Sequence, residues 1–137
     1  MIRLPAAVLA DIEAAARRAR PRECCGLLIG RREEAEIVIL DALETANLAP
    51  PEAPARFEID ARAHLRLQRE LRGSDRHIVG LFHSHPHGAA EPSATDRAEA
   101  AYAGWVWLIT AVRDAAAETR GYLDTGAAFL PVRIEIC

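Results

Sequence analysis

The sequence has no lysine: its 17 basic residues are all Arg, set against 20 acidic ones. A Lys nucleophile or Schiff base is therefore excluded, and so is an isopeptide bond on a Lys side chain of this protein. Codon bias accounts for the choice of Arg. Cysteine is scarce too, with Cys24, Cys25 and Cys137 too few and too badly spaced for a disulfide framework. Two adjacent cysteines on a strand project to opposite faces and do not bond each other. No apolar run approaches the roughly 20 residues of a membrane span. The N-terminal MIRLPAAVLADIEAAARRAR holds acids inside its apolar part and Arg after it, the reverse of a signal peptide. A net charge of −3 gives no broad attraction to nucleic acid or anionic lipid. The expectation is a cytoplasmic protein with neither a nucleic-acid nor a membrane partner.

The chain is 137 residues long, half apolar and about a quarter charged, which suits one globular domain over 1–137 with a core of its own. It carries no repeat, no low-complexity segment and no internal linker. Leu4, Val8, Ile12, Ala15, Ala16 and Ala19 recur at helical spacing, and Pro5 suits a first turn, so a helix is expected over 5–20, stopped by Pro21. CCGLLIG, the charged turn RREE and AEIVILDAL read as a strand hairpin. ETANLAPPEAPAR, residues 44–56, has three prolines and reads as a loop. FEID leads into a helix at 61–72, where His64 is expected to pack at the boundary of the core. HIVGLFHS (77–84) and WVWLITAV (105–112) are apolar on both faces, as interior strands of a sheet are. TRGYLDTG and AFLPVRIEIC close the chain as strands, with Pro131 marking an edge or a bulge. The fold class is α/β, a mixed sheet with about three helices.

One segment carries chemistry: HSHPHGAAEPSATD, residues 83–96. His83 and His85 are two apart at a strand end, so both imidazoles project to one side. Ser93 is a candidate helix N-cap, and Asp96 sits three residues on, in the capping-box position. There the backbone dipoles stabilise a carboxylate. Two imidazoles and one carboxylate leave a fourth tetrahedral position open, the layout of a catalytic zinc site. Each of these residues taken alone is more simply a surface or capping group; the combination favours a metal. His87 reads as exposed or at the rim of the site, and Cys24 and Cys25 as buried strand thiols.

HSHP, six residues and then SATD, with Glu23 upstream in PRECCGLLIG, resembles the signature of the JAMM (MPN+) zinc metalloproteases, particularly the small stand-alone bacterial forms. The resemblance covers nearly the whole chain and implies a cytidine-deaminase-like mixed sheet. It also implies Zn2+ held by His83, His85 and Asp96, Glu23 as general acid/base, and Ser93 steadying the tetrahedral intermediate. The sequence leaves Ser93 two readings, a cap alone or an oxyanion donor. Glu23 lies close to the histidines only if strand 24–30 pairs with 77–84. The resemblance further implies cleavage after the C-terminal Gly-Gly of a ubiquitin-like or sulfur-carrier protein. The rival readings are a non-catalytic scaffold and a general zinc peptidase or amidase. A nucleobase deaminase is excluded, because H-x-E and P-C-x-x-C are both absent. Oligomeric state stays open, a homodimer included.

Overall fold

The computed structural model describes residues 1–53 and 55–137; Pro54, within the expected loop at 44–56, lies outside them. In chain order the elements are β1 (Ile2–Leu4), α1 (Ala6–Ala19), β2 (Cys25–Glu33), β3 (Glu36–Thr45), α2 (Ala61–Leu71), β4 (His77–His85), α3 (Ala94–Glu99), β5 (Val106–Val112), β6 (Ala117–Asp124), β7 (Phe129–Val132) and β8 (Ile134–Ile136). The strands form one mixed sheet in the order β7-β6-β5-β4-β2-β3-β1-β8. β1 pairs β3 and β8 in parallel, β4 pairs β5 in parallel, and the other neighbours are antiparallel.

Burial of apolar surface on both faces of the sheet holds these elements together. α1 turns Val8, Ile12, Ala15 and Ala16 onto one face, against Leu28, Val79, Phe82 and Leu108. The other face carries Cys25, Phe57, Leu81, Trp107, Ile109 and Tyr122, with Leu67 of α2 packed on Leu27 and Ile29. Cys24 and Cys25 thus fall on opposite faces, as adjacent strand residues must. β2 pairs β4 through Leu28–Gly80 and then Ile29–Ile78, passing over Val79. That bulge flips the alternation and moves Val79 to the face of Phe82, away from Leu81. Gly26 is needed where it stands, since a Cβ there would run into the Phe82 ring and the Leu43 carbonyl.

Four sequence expectations change. Leu4 belongs to the short strand β1, because residues 2–4 find an open edge on both β3 and β8; the helix begins after Pro5, its N-cap. The charged RREE is mostly strand: Arg31 to Glu33 pair with β3, and the reversal tightens to Glu34 and Ala35, with Glu34 at φ 51°. Glu44 and Thr45, placed in the loop, extend β3. AFLPVRIEIC is two strands, with Arg133 between them, and they lie at opposite ends of the sheet order. The sheet therefore curls until its ends approach, and a Cβ on Gly121 would press on Ile2 and Ile134. Pro131 does sit on an edge strand, since β7 pairs only with β6. β5 is interior and buried throughout, as its two apolar faces require.

Candidate metal centre

β2 and β4 pair as the sequence reading needed, with Cys25 opposite His83. Glu23, two residues ahead of Cys25 and so on the same side of the chain, comes to the end of β4 where His83 and His85 stand. Ser84 points the other way. Its Oγ accepts from the Cys24 N–H at 2.8 Å, and its own N–H donates to the Cys24 carbonyl at 3.2 Å, tying the entry of β2 to the residue between the histidines.

The chain then turns at Gly88, whose φ of 101° only glycine adopts freely, and reaches α3. A complete capping box opens that helix: the Asp96 N–H donates to Ser93 Oγ at 3.0 Å and the Ser93 N–H to Asp96 Oδ2 at 2.9 Å. The cap fixes the direction of the Asp96 carboxylate. Its Oδ2 lies 3.1 Å from His83 Nε2 and 3.2 Å from His85 Nε2, and the two imidazole nitrogens are 3.1 Å apart. All three residues are buried.

Three mutual hydrogen bonds cannot share that triangle, because acceptors face one another across it. His85 Nδ1 donates to the Ala89 carbonyl at 2.8 Å, so its Nε2 presents a lone pair to the centre. Donors about 2.0–2.1 Å from one tetrahedral zinc stand roughly 3.3 Å from each other. The residues therefore fit a metal ion. Glu23 also brings an oxygen within 4.8 Å of both imidazoles, a wider set than the one closed by Asp96. The Glu23 Oε1 and His83 Nδ1 atoms are buried without a hydrogen-bond partner among the described residues. The His83 ring is held by packing, stacked on Phe57 at 4.3 Å and edge-on to Trp107.

The electrostatics agree. Burial pushes the Glu23 carboxyl up to about 7; His85 opposes the rise, while Asp96 and Glu99 add to it. Burial lowers His83 and keeps it neutral. Burial also works against protonating His85, but the hydrogen bond to Asp96 and the Ala89 carbonyl outweigh it and the group is raised. Burial alone would raise Asp96, yet the two imidazoles and the Ser93 backbone hold it well below the ordinary carboxylate range. A fixed anion beside two imidazoles is a place where positive charge, a proton on His85 or a metal ion, is favoured.

The structure thus brings Glu23, His83, His85, Ser93 and Asp96 together, leaves His87 exposed, and packs His64 against Tyr102 and Trp105. Sequence reasoning missed four supports. Asn47 Nδ2 donates to the Glu23 and Arg56 carbonyls while its Oδ1 accepts from Ala49 and Glu58, pinning the loop to Glu23. An Asn within a Pro-rich loop was the available signal. Tyr122 Oη donates to the Ala90 carbonyl at 2.7 Å and anchors the loop after His85. Ser84 and Phe57 gave no local signal, since their roles depend on strand pairing.

Comparison with known proteins follows the same lines. Residues 5–122 match the prokaryotic homologs of the JAB domain. A desampylase from Haloferax volcanii is 30% identical over 89 residues, 65% of this chain and 62% of that protein. A protein from Thermus thermophilus named "Probable TtuB-protein conjugate cleaving protease" is 32% identical over 97 residues, 71% of this chain and 62% of that one. In both cases the match spans less than two thirds of the relative. The solution structure of a Desulfitobacterium hafniense protein covers 100% of this chain and 93% of its own, with TM-score 0.88 at 29% identity. One from Salinibacter ruber covers 100% and 92%, with TM-score 0.70 at 25% identity. A match over most of the chain, on a mixed sheet that presents the HSHP and SATD residues at one centre, places this protein in the prokaryotic JAB/MPN family.

Proposed function

We propose that the protein is a single-domain zinc metallopeptidase that hydrolyses a peptide or isopeptide bond after the C-terminal Gly-Gly of a ubiquitin-like or sulfur-carrier protein. The observation that carries this reading is the convergence of His83 Nε2, His85 Nε2 and Asp96 Oδ2 within 3.2 Å beside the buried Glu23, whose Oε1 has no hydrogen-bond partner among the described residues. Those three atoms would hold the zinc. When bound, it supplies Lewis acidity, acidifying a water and polarising the scissile carbonyl. Glu23 takes the proton from the attacking water and returns it to the leaving amine; burial raises its carboxyl in the metal-free chain, so it holds a proton more readily than a solvated carboxylate does. Ser93 spends a lone pair of its Oγ on the Asp96 N–H, which leaves its O–H to donate to the developing oxyanion.

The names of the two relatives support a protein-conjugate substrate. A groove of about 220 Å³ lined by Phe57, Ile59, His64, Tyr102, Trp105 and Trp107 lies beside His83, where an extended tail without side chains fits. The reading includes a cytoplasmic setting, where the three thiols stay reduced, and the cytidine-deaminase-like grouping of the fold. The test incubates zinc-loaded protein with a sulfur-carrier protein extended by one residue at its C-terminus, and separately with ubiquitin chains, following products by mass spectrometry. Chelator-sensitive cleavage after the terminal glycine is expected. Efficient hydrolysis of unrelated peptides with every such carrier left intact would replace the reading with a general peptidase or amidase.

A further inference from the structure

The solvent face of α2 concentrates arginine. Arg62, Arg66 and Arg69 follow at i, i+4 and i+7, a single face of a helix, with Arg72 flanking them just past its end. All four are exposed, and none is ion-paired among the described residues. Elsewhere Arg3, Arg18, Arg20, Arg31, Arg56, Arg120 and Arg133 each have a carboxylate, while the other arginines without one are scattered singly over several elements; what distinguishes α2 is the alignment of its arginines on one face. Like charges at such spacings destabilise a helix, so the stripe is held against a cost. In its midst Leu65 is 47% exposed. The opposite face of α2 is anchored by buried Leu67, and its first turn, through Ala61 and His64, lines the groove beside His83. Arg69 and Ala61 are about 12 Å apart along the axis at 1.5 Å per residue.

We propose that this face docks the folded body of the carrier whose tail enters the groove, and that it selects a carrier with an acidic surface surrounding an apolar patch. The inference rests on the proposed function and deepens it. Charge complementarity identifies the partner: on a chain of net charge −3, a concentrated positive face steers and orients an anionic protein and repels a basic one. Leu65 decides the class of partner. An exposed apolar side chain bordering the arginine stripe matches a protein patch with acids at its rim, whereas a phosphate backbone offers it nothing to pack on.

The test measures binding, separately from cleavage. The zinc-loaded Glu23→Gln protein is titrated with a fluorescently labelled acidic β-grasp carrier ending in Gly-Gly, at low and at moderate salt. R62Q/R66Q/R69Q and R62E/R66E/R69E are compared on the same background, their folding checked by circular dichroism and thermal melting. Binding should weaken about tenfold with the Gln set and further with the Glu set, and the salt dependence should flatten with the Gln set and reverse with the Glu set. Leu65→Ala should weaken it at all salt concentrations. Equal affinity across the folded variants, or no binding of the acidic carrier, would overturn the docking surface. Equal or tighter binding of a single-stranded oligonucleotide would overturn the assigned partner in favour of nucleic acid. Carrier cleavage by the wild-type protein with unaltered affinity in the Arg variants would leave the proposed function standing without this surface; Arg-dependent binding without cleavage would do the opposite.

Discussion

The backbone N–H of Cys24 donates to Ser84 Oγ at 2.8 Å, so the residue between the two site histidines also fixes the residue that follows Glu23. A single hydroxyl, fully buried, thereby couples the spacing of the Glu23 carboxyl to that of the imidazoles. Ser84→Ala should leave the Cys24 N–H buried without its partner and destabilise the fold by about 1–3 kcal/mol. The midpoint of urea unfolding measures it, and an unchanged midpoint would show that the bond contributes nothing.

Metal binding is predicted to depend on the triangle and not on Glu23. Elemental analysis of the purified protein should find about one zinc per chain, and His83→Ala, His85→Ala and Asp96→Ala should each lose most of it. Full occupancy in any of the three would remove that residue from the ligand set. Zinc lost with Glu23→Gln would make Glu23 the ligand in its place.

Glu23→Gln should keep the fold and the metal while lowering peptidase activity about 10²–10⁴-fold, since an amide cannot move the proton. The same variant reads the pKa. The wild-type carboxyl is raised from 4.5 to about 7 in the folded chain, so the folded state binds its proton more tightly than the unfolded state does. Its contribution is complete below about pH 4.5 and is lost as the pH climbs to 7. In chelator-treated protein the stability of wild type relative to Glu23→Gln should fall by roughly 3 kcal/mol across that window. A parallel pair of stability curves would rule the shift out.

Thiol reactivity should separate the cysteines. Burial pushes Cys24 and Cys25 up to about 11, leaving little thiolate at pH 8, whereas Cys137 is exposed. Iodoacetamide at pH 8 should label one thiol in the native protein and three in denaturant. Rapid native labelling of Cys24 or Cys25 would contradict the packing of β2.

Much of the site was legible because it is local. The two-residue spacing of His83 and His85 is the period of a strand, and the three-residue spacing of Ser93 and Asp96 is that of a capping box; both need only the chain's own geometry. The apolar run of β5 announced an interior strand, and Pro131 announced an edge. Helix α1 was legible from its spacing, ended by Pro21.

The remainder required strands distant in sequence to meet. Whether Glu23 reached the histidines depended on the β2 and β4 pairing, which no local pattern fixes. Nor could the sequence show that Phe57 would stack on His83, that Asn47 would clamp the Glu23 carbonyl, or that Tyr122 would hold the loop at Ala90. The bulge at Val79, which broke the simple alternation, and the separation of β7 from β8 were hidden for the same reason. Side-chain periodicity says which residues want burial, and the sequence by itself settled that much, along with the types and spacing of the candidate site residues. Which strand becomes a neighbour is decided by closing the sheet as a whole, where each pairing is stabilised only once the others are formed.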